Sequence, residues 1–100
     1  MIRELMHPGG AGRQSLAEAI VEPGHSTLLH LHLRTDEIYL VTAGTGRMTL
    51  GDRQFEIAAG DTITVPPGTR HCVEALGDTP LKILCCCAPP YSHEDTEVLA

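Results

Sequence analysis

The residues with the clearest chemical potential lie within positions 24–44. His30 and His32 are two positions apart in a run of β-type residues, and Glu37 follows a short polar segment. Side chains two apart on a strand project from the same face, with their Cα atoms roughly 6–7 Å apart. A hairpin at residues 34–36 would bring the Glu37 carboxylate to the same patch. Two imidazole nitrogens and one carboxylate oxygen predict a metal site with coordination positions to spare.

These side chains need a β framework, and the rest of the chain predicts one. Apolar and β-branched runs alternate with turn signals such as Pro23-Gly24 and Gly51-Asp52. Segment 14–21 contains helix-forming residues, but its length suits a strand better. We predict strands at 2–6, 14–21, 27–33, 37–42, 47–50, 54–57, 62–65, 71–76 and 81–87. Eight or nine short strands at this spacing indicate an all-β sandwich or barrel.

Composition excludes several classes of partner. The chain has 100 residues and a net charge of −6 with only 7 Lys and Arg, which argues against a nucleic-acid partner. It contains no apolar run long enough to cross a bilayer and no signal-peptide core, so we expect a cytoplasmic protein without a membrane partner. Its cysteines, Cys72 and Cys85–Cys87, match neither a disulfide framework nor a structural zinc site.

Two motifs with defined spacing carry a resemblance to a known family. Residues 24–44 read G-x5-H-x-H-x4-E-x6-G and resemble the first motif of the cupin superfamily at every defining position. Residues 60–75 contain G-x5-P-x-G-x2-H and resemble the second cupin motif, with Ala75 in place of the usual closing Asn. The residues that match are Gly24, His30, His32, Glu37, Gly44, Gly60, Pro66, Gly68 and His71.

The resemblance implies a fold and a set of metal ligands. It implies a small single cupin domain over residues 1–100, with N-terminal strands and a loop at 1–23 and a C-terminal tail at 88–100. The expected fold is an all-β jelly-roll barrel of six to eight strands. The implied ligands of one internal metal ion are His30, His32, Glu37 and His71. The missing Asn affects a turn and strand packing in the family, so it puts no ligand in doubt.

That ligand set defines a reactive type of metal site. Three neutral imidazoles and one carboxylate leave a divalent ion with a formal charge of about +1. One ion of Fe, Mn, Ni, Zn, Co or Cu per chain is compatible with these ligands. Four protein ligands in an octahedral field leave two positions open, as in catalytic sites. We expect a small polar, anionic or enolisable molecule to bind there.

Two further residues are candidates for catalysis. Tyr39 lies two positions after Glu37 and can share its inward face, so its hydroxyl is a candidate donor to a substrate. Cys85 reaches the interior if the odd positions of its strand face inward, which makes it a candidate thiol near the metal. The alternative is that both residues only pack inside the barrel, and we favour this alternative for both.

The tail from Ala88 onward is acidic and irregular in sequence. The pattern Ser92-x-x-Asp95 predicts one capped helical turn. The segment 90–93 can fold over the mouth of the barrel as a lid, but an exposed tail is the interpretation we favour.

Two classes of function follow. The first is a metal-dependent enzyme of the dioxygenase, decarboxylase, isomerase or cyclase type, with the metal as Lewis acid or dioxygen activator. The second is a metal-dependent binding or sensor module without chemistry. Small cupins that resemble this chain often pair through sheet edges, and few lysines protect an edge here, so we also predict a homodimer.

Overall fold

A computed structural model describes residues 1–9 and 12–99. The described residues form ten β-strands and a short 3-10 helix at His93–Asp95. The strands are β1 Ile2–Met6, β2 Ser15–Val21, β3 His30–His32, β4 Asp36–Ala43, β5 Thr45–Leu50, β6 Arg53–Ala58, β7 Thr62–Val65, β8 His71–Leu76, β9 Leu81–Ala88 and β10 Thr96–Val98. Residues 10–11, within the predicted N-terminal loop, and residue 100 lie outside this description.

The strands form two antiparallel sheets of five strands each. Sheet A has the order β1-β2-β9-β4-β7, and sheet B has the order β10-β3-β8-β5-β6. Successive strands repeatedly cross from one sheet to the other, and the two sheets enclose a common interior. This is a jelly roll, so the predicted fold class is confirmed, although ten strands exceed the expected number.

The core follows from strict alternation along the central strands. In β8 and β9 every second residue is buried, starting from His71 and Leu81 respectively. Met48, Leu81 and Ile83 have no measurable exposure, and they join one apolar cluster with Val41 and Ile57. Alternation places one side chain in two inside the barrel, so the same strands present both the core and the candidate ligands.

The predicted hairpin between β3 and β4 is wrong. The chain crosses between sheets there, because β3 belongs to sheet B and β4 to sheet A. The backbone amides of Arg34 and Thr35 donate to the carboxylate of Asp95, at 2.9 and 3.0 Å, and that of Leu33 donates to the Asp95 carbonyl. The tail thus supplies acceptors that a hairpin would have found within its own turn.

Strand β3 is also shorter than the predicted segment 27–33. The carbonyl oxygen of Leu28 accepts a hydrogen bond from the His30 ring at 2.8 Å. Direct pairing of β3 with β8 is confined to His30 opposite His71. A single bridge joins Ser26, just before the predicted segment, to Glu74, and the Thr27 amide donates to the Val73 carbonyl oxygen at 2.9 Å.

The interpretation of the tail as irregular is wrong, although most of its described residues are exposed as expected. Residues Thr96–Val98 add β10 to the edge of sheet B, where they pair with His30–His32. The predicted turn is present as the 3-10 helix, but the Ser92 hydroxyl donates to the Glu94 carboxylate and makes no cap. The tail therefore becomes part of the barrel wall beside the histidines.

None of the described residues belongs to a helix with the length and hydrophobicity that a membrane crossing requires. The four cysteines are free thiols.

Candidate metal centre

Three histidines meet inside the open end of the barrel. His30 and His71 occupy opposing positions on β3 and β8, and His32 follows two residues after His30 on the same face. One ring nitrogen from each of the three lies within 4.8 Å of those of the other two. The ring centroids of His30 and His71 are 4.1 Å apart. The structure thus brings together ring nitrogens from two distant segments of the chain.

The outer nitrogen of each ring is fixed by a hydrogen bond. His30 Nδ1 lies 2.8 Å from the Leu28 carbonyl oxygen, and His71 Nδ1 lies 2.9 Å from the Thr69 carbonyl oxygen. A carbonyl oxygen only accepts, so both Nδ1 atoms carry the proton. In a neutral ring the Nε2 atom then presents a lone pair, as metal-binding histidines require.

The third ring is oriented by the tail. His32 Nδ1 lies 2.9 Å from the hydroxyl of Thr96 on β10. That hydroxyl donates its own proton to the Ser92 carbonyl oxygen at 2.9 Å, so it accepts from His32. His32 Nε2 therefore also presents a lone pair to the interior.

Glu37 faces this cluster from the opposite sheet. Its Oε1 atom lies 3.3 Å from Nε2 of both His32 and His71. Its Oε2 atom accepts from the thiol of Cys87 at 3.3 Å, which holds the carboxylate edge toward the histidines. Sheet A thus contributes a carboxylate oxygen, and sheet B contributes imidazole nitrogens, to the same point.

The electrostatics of this point fit a cation. Burial alone would raise the pKa of Glu37, but His32 and His71 in their protonated form lower it to about 2, so positive charge at this point keeps the side chain a carboxylate. Glu37 Oε1 and the Nε2 atoms of His32 and His71 are buried and have no hydrogen bond. Burial lowers the pKa of His30, which favours its neutral form. Buried nitrogen and oxygen atoms that converge without hydrogen bonds are stabilised by a metal ion, which supplies the positive charge in place of ring protons.

The cluster opens into a cavity of about 570 Å³, which is the size of many small-molecule sites. Its lining includes His30, His32 and Glu37. Tyr91 and His93 belong to this lining and also to an adjoining depression of about 430 Å³, so they mark the mouth. The tail segment thus lies at the entrance, as the alternative interpretation of the sequence proposed.

Both catalytic candidates from the sequence line the cavity. Tyr39 is buried, and its ring centroid lies 6.0 Å from that of His71. Cys85 is buried too, and its thiol contacts the Ile83 carbonyl oxygen. Burial, and to a lesser degree Glu37, raises the pKa of both groups, so each stays protonated near neutral pH. Both side chains are therefore placed to contact a ligand in the cavity as neutral hydrogen-bond donors.

Sequence reasoning missed two residues of the site. Cys87, rather than Cys85, contacts Glu37, and Thr96 orients His32. The fact that Cys85 and Cys87 share one face of their strand was the available signal for Cys87. Nothing in the acidic tail marks Thr96, because its position depends on pairing with β3. The ring of Tyr91, from the segment that the alternative interpretation placed over the mouth, lies 5.9 Å from that of His32.

The jelly roll and its histidine cluster define the class of protein. The family model for the cupin domain matches residues 17–87, and the chain belongs to this family. Cupins generally bind a metal, and His30, His32 and His71 form a cluster able to hold one.

Particular relatives refine this comparison. The chain is 56% identical to protein MJ1618 of Methanocaldococcus jannaschii, over 99% of this chain and 81% of the relative. It is 30% identical to the mannose-1-phosphate guanylyltransferase RfbM of Salmonella typhimurium over 93% of its length, but it spans only 21% of that protein. A solved oxalate decarboxylase from Bacillus subtilis matches with a TM-score of 0.78 and 33% identity, over 87% of this chain and 24% of that chain.

Proposed function

We propose that this cupin binds one divalent transition metal through His30, His32, Glu37 and His71, and that it is a metal-dependent enzyme acting on a small polar or anionic molecule. The observation that carries the proposal is the convergence of buried, unpaired electron-pair donors from both sheets on one point. Fixed Nδ1 partners on all three histidines support it, because they prepare each Nε2 atom to coordinate.

A metal held there would supply Lewis-acid polarisation of an oxygen of the bound molecule, or dioxygen activation if the metal is iron. The chain itself provides a cavity with two neutral donors in its wall, the Tyr39 hydroxyl and the Cys85 thiol. Tyr39 is the stronger candidate for hydrogen bonding to a substrate oxygen, since a hydroxyl is a better donor than a thiol.

The relatives support the class of substrate only broadly. The likeness to an oxalate decarboxylase supports a small carboxylic acid. The likeness to mannose-1-phosphate guanylyltransferases covers about a fifth of their length, so it supports a sugar phosphate only if the matched part of those enzymes binds one.

Elemental analysis of protein purified without chelators or added metal tests the metal proposal. We expect about one transition-metal ion per wild-type chain and a large loss of it in His30→Ala. His25→Ala is the matched control, because His25 is exposed and does not line the cavity. Equal metal content in wild type and His30→Ala would contradict the proposed ligand set.

A binding or sensor module is the second candidate function. One observation favours it: Tyr39 and Cys85 both have raised pKa values, so neither is a ready base for proton transfer. Product formation and dioxygen consumption by the metal-loaded protein, measured with a panel of small acids and sugars, separate the two functions. Tight binding of a ligand that is never converted would decide for the module.

We also infer that the chain forms a homodimer. Strand β1 is an edge of sheet A, and it exposes Ile2 by 66% and Leu5 and Met6 by 45% each. Apolar side chains on an open edge strand favour pairing with a second copy. Light scattering at micromolar concentrations should give twice the chain mass, and an Ile2→Asp, Leu5→Asp variant should shift toward the monomer. A monomeric wild type would refute the inference.

A further inference from the structure

We infer that the cavity selects a small oxygen-bearing acid with an apolar body, and that it discriminates against phosphorylated and polyhydroxylated compounds. The inference rests on the proposed function and adds to it the chemistry of the part of the ligand that lies away from the histidines.

Most of the cavity wall away from the histidines and Glu37 is apolar. Ala19, Val73 and Ile83 line it and are at most 5% exposed. At the rim Leu28 and Val98 line it too, yet they are 63% and 61% exposed. Apolar side chains left open beside an apolar cavity mark a surface that a ligand covers. Each methylene or methyl group of a ligand that is buried against such walls strengthens binding.

The charges of the lining oppose a polyanion. Glu4 and Glu37 line the cavity, and none of its described lining residues is Lys or Arg. Arg3 and Arg34 instead form ion pairs with Glu18 at 2.7 Å and with Asp95 at 3.4 Å. The lining histidines outside the cluster, His7 and His93, already bond to Tyr91. A phosphate dianion in a partly dry site needs several positive charges or free donors to offset its desolvation. A single carboxylate can be balanced by the metal alone.

Apart from that of Tyr39, the hydroxyl groups of the lining are already bonded to the protein itself. Ser15 Oγ accepts from the Tyr91 amide at 2.9 Å, and Thr27 Oγ1 accepts from the Val73 amide at 3.0 Å. Thr96 Oγ1 is bonded both to His32 and to the Ser92 carbonyl. A sugar with several hydroxyls would lose hydrogen bonds to water and find few replacements here.

A series of 2-oxo acids tests the inference, because the head group stays constant while the tail changes. The probes are pyruvate, 2-oxohexanoate and 2-oxoglutarate, with a hexose phosphate as the fourth compound. Calorimetric titration of the zinc-loaded protein gives each Kd without any turnover. We expect 2-oxohexanoate to bind roughly tenfold to fiftyfold more tightly than pyruvate, since it adds three methylene groups. We expect 2-oxoglutarate and the hexose phosphate to bind more weakly than 2-oxohexanoate.

Two leucines provide a matched pair of variants. Leu28 lines the rim, whereas Leu33 is comparably exposed at 52% and does not line the cavity. Leu28→Asn should reduce the preference for 2-oxohexanoate over pyruvate severalfold, and Leu33→Asn should leave it unchanged. Methyl NMR spectra should show shifts of Val73 and Ile83 on addition of 2-oxohexanoate, which places its tail inside the cavity.

Three outcomes would overturn the inference: equal affinities across the oxo acids, tighter binding of 2-oxoglutarate or the hexose phosphate, or no measurable binding of 2-oxohexanoate. Zinc content, measured on the same samples, separates this failure from that of the proposed function. If the protein holds zinc but prefers the polar probes, the proposed metal site stands and the inference of an apolar ligand is wrong. If the protein holds no metal, the proposed function itself is wrong.

Discussion

The two ends of the barrel interior have opposite chemistry although the same strands build them. Along β8 the inward side chains run from His71 through Val73 to Ala75. Along β9 they run from Leu81 to Cys87 in the opposite direction, since Cys87 pairs with Glu37. The open end therefore collects the polar groups around His71, and the closed end collects the apolar ones around Leu81.

The closed end is packed without spare room. A Cβ atom on Gly46 would lie 2.7 Å from a methyl group of Leu81 and 2.8 Å from the Glu74 carbonyl oxygen. Only a glycine lets β5 approach β9 this closely. Ile57 completes this layer at 3% exposure.

This difference indicates that fold stability and metal binding depend on separate groups of residues, even in a chain of this size. Burial of apolar side chains at the closed end stabilises the fold whether or not a metal binds. Buried polar atoms without partners at the open end destabilise the metal-free fold, and they stabilise the fold only when a cation binds to them. Variants at the two ends should therefore change different measurements.

The largest effect is expected from His71→Ala. Four ligands share a metal-binding free energy of roughly 10–16 kcal/mol in comparable zinc sites, so loss of one should lower metal affinity by about a hundredfold to a thousandfold. Competition titration with a chelator measures this affinity. Circular dichroism should show a retained fold, with His25→Ala as the control. An unchanged metal affinity in His71→Ala would contradict the assignment of metal binding to the open end.

Leu81→Ala should show the opposite behaviour. Leu81 has no measurable exposure, and its truncation should lower the free energy of unfolding by about 2–5 kcal/mol. Urea denaturation of the metal-free protein measures the loss, and metal content per folded chain should not change. The exposed Leu33→Ala is the control and should stay within about 0.5 kcal/mol of wild type. A selective loss of metal in Leu81→Ala would show that the ends are coupled.

Local patterns made most strands predictable. Alternation in 71–76 and 81–87 gives the strands, and turn signals such as Gly51-Asp52 give their limits. The spacing of His30 and His32 was enough to place them on one face. These features depend on periodicity within a few residues, which a sequence displays directly.

The architecture around the open end depends on contacts between distant residues. The route from β3 to β4 is decided by Asp95, about sixty positions later. Whether Cys85 or Cys87 meets Glu37 depends on the register of β9 against β4. Neither sheet partner nor register follows from local pattern, so the hairpin was wrong and the contact of Cys87 was missed.

Cys87→Ala should produce an intermediate effect confined to the open end. Burial, then Glu37, raises the pKa of Cys87, so it stays a thiol that donates to Glu37 Oε2. Loss of this donor frees the carboxylate to rotate and should reduce metal affinity by about tenfold. Cys87→Ser retains a donor and should recover most of the affinity. Cys86→Ala, on the outward face, is the matched control. Equal affinities for all three variants and wild type would contradict a positioning role.

The smallest effect is expected from Asp95→Asn, which tests whether the tail belongs energetically to the open end. Burial alone would raise the pKa of Asp95, but hydrogen bonds from Thr35 and Arg34 lower it below its ordinary 3.8. A lowered pKa in the folded state means that the ionised group stabilises the fold fully above pH 3.8, and that this stabilisation is lost as the pH falls through the folded pKa. Asp95→Asn should therefore cost about 1 kcal/mol at pH 7 and less near pH 3.

Hydrogen exchange locates this loss within the molecule. The amides of Thr96 and Glu97, next to the histidine strand, should exchange faster in Asp95→Asn, whereas that of Leu81 should follow only the change in global stability. The exposed Glu97→Gln provides a charge-matched control without the Arg34 and Thr35 contacts. Equal acceleration at Leu81 and at the tail would mean that Asp95 supports the whole barrel. Faster exchange confined to β10 and β3 would instead show that the open end can loosen while the apolar end stays folded.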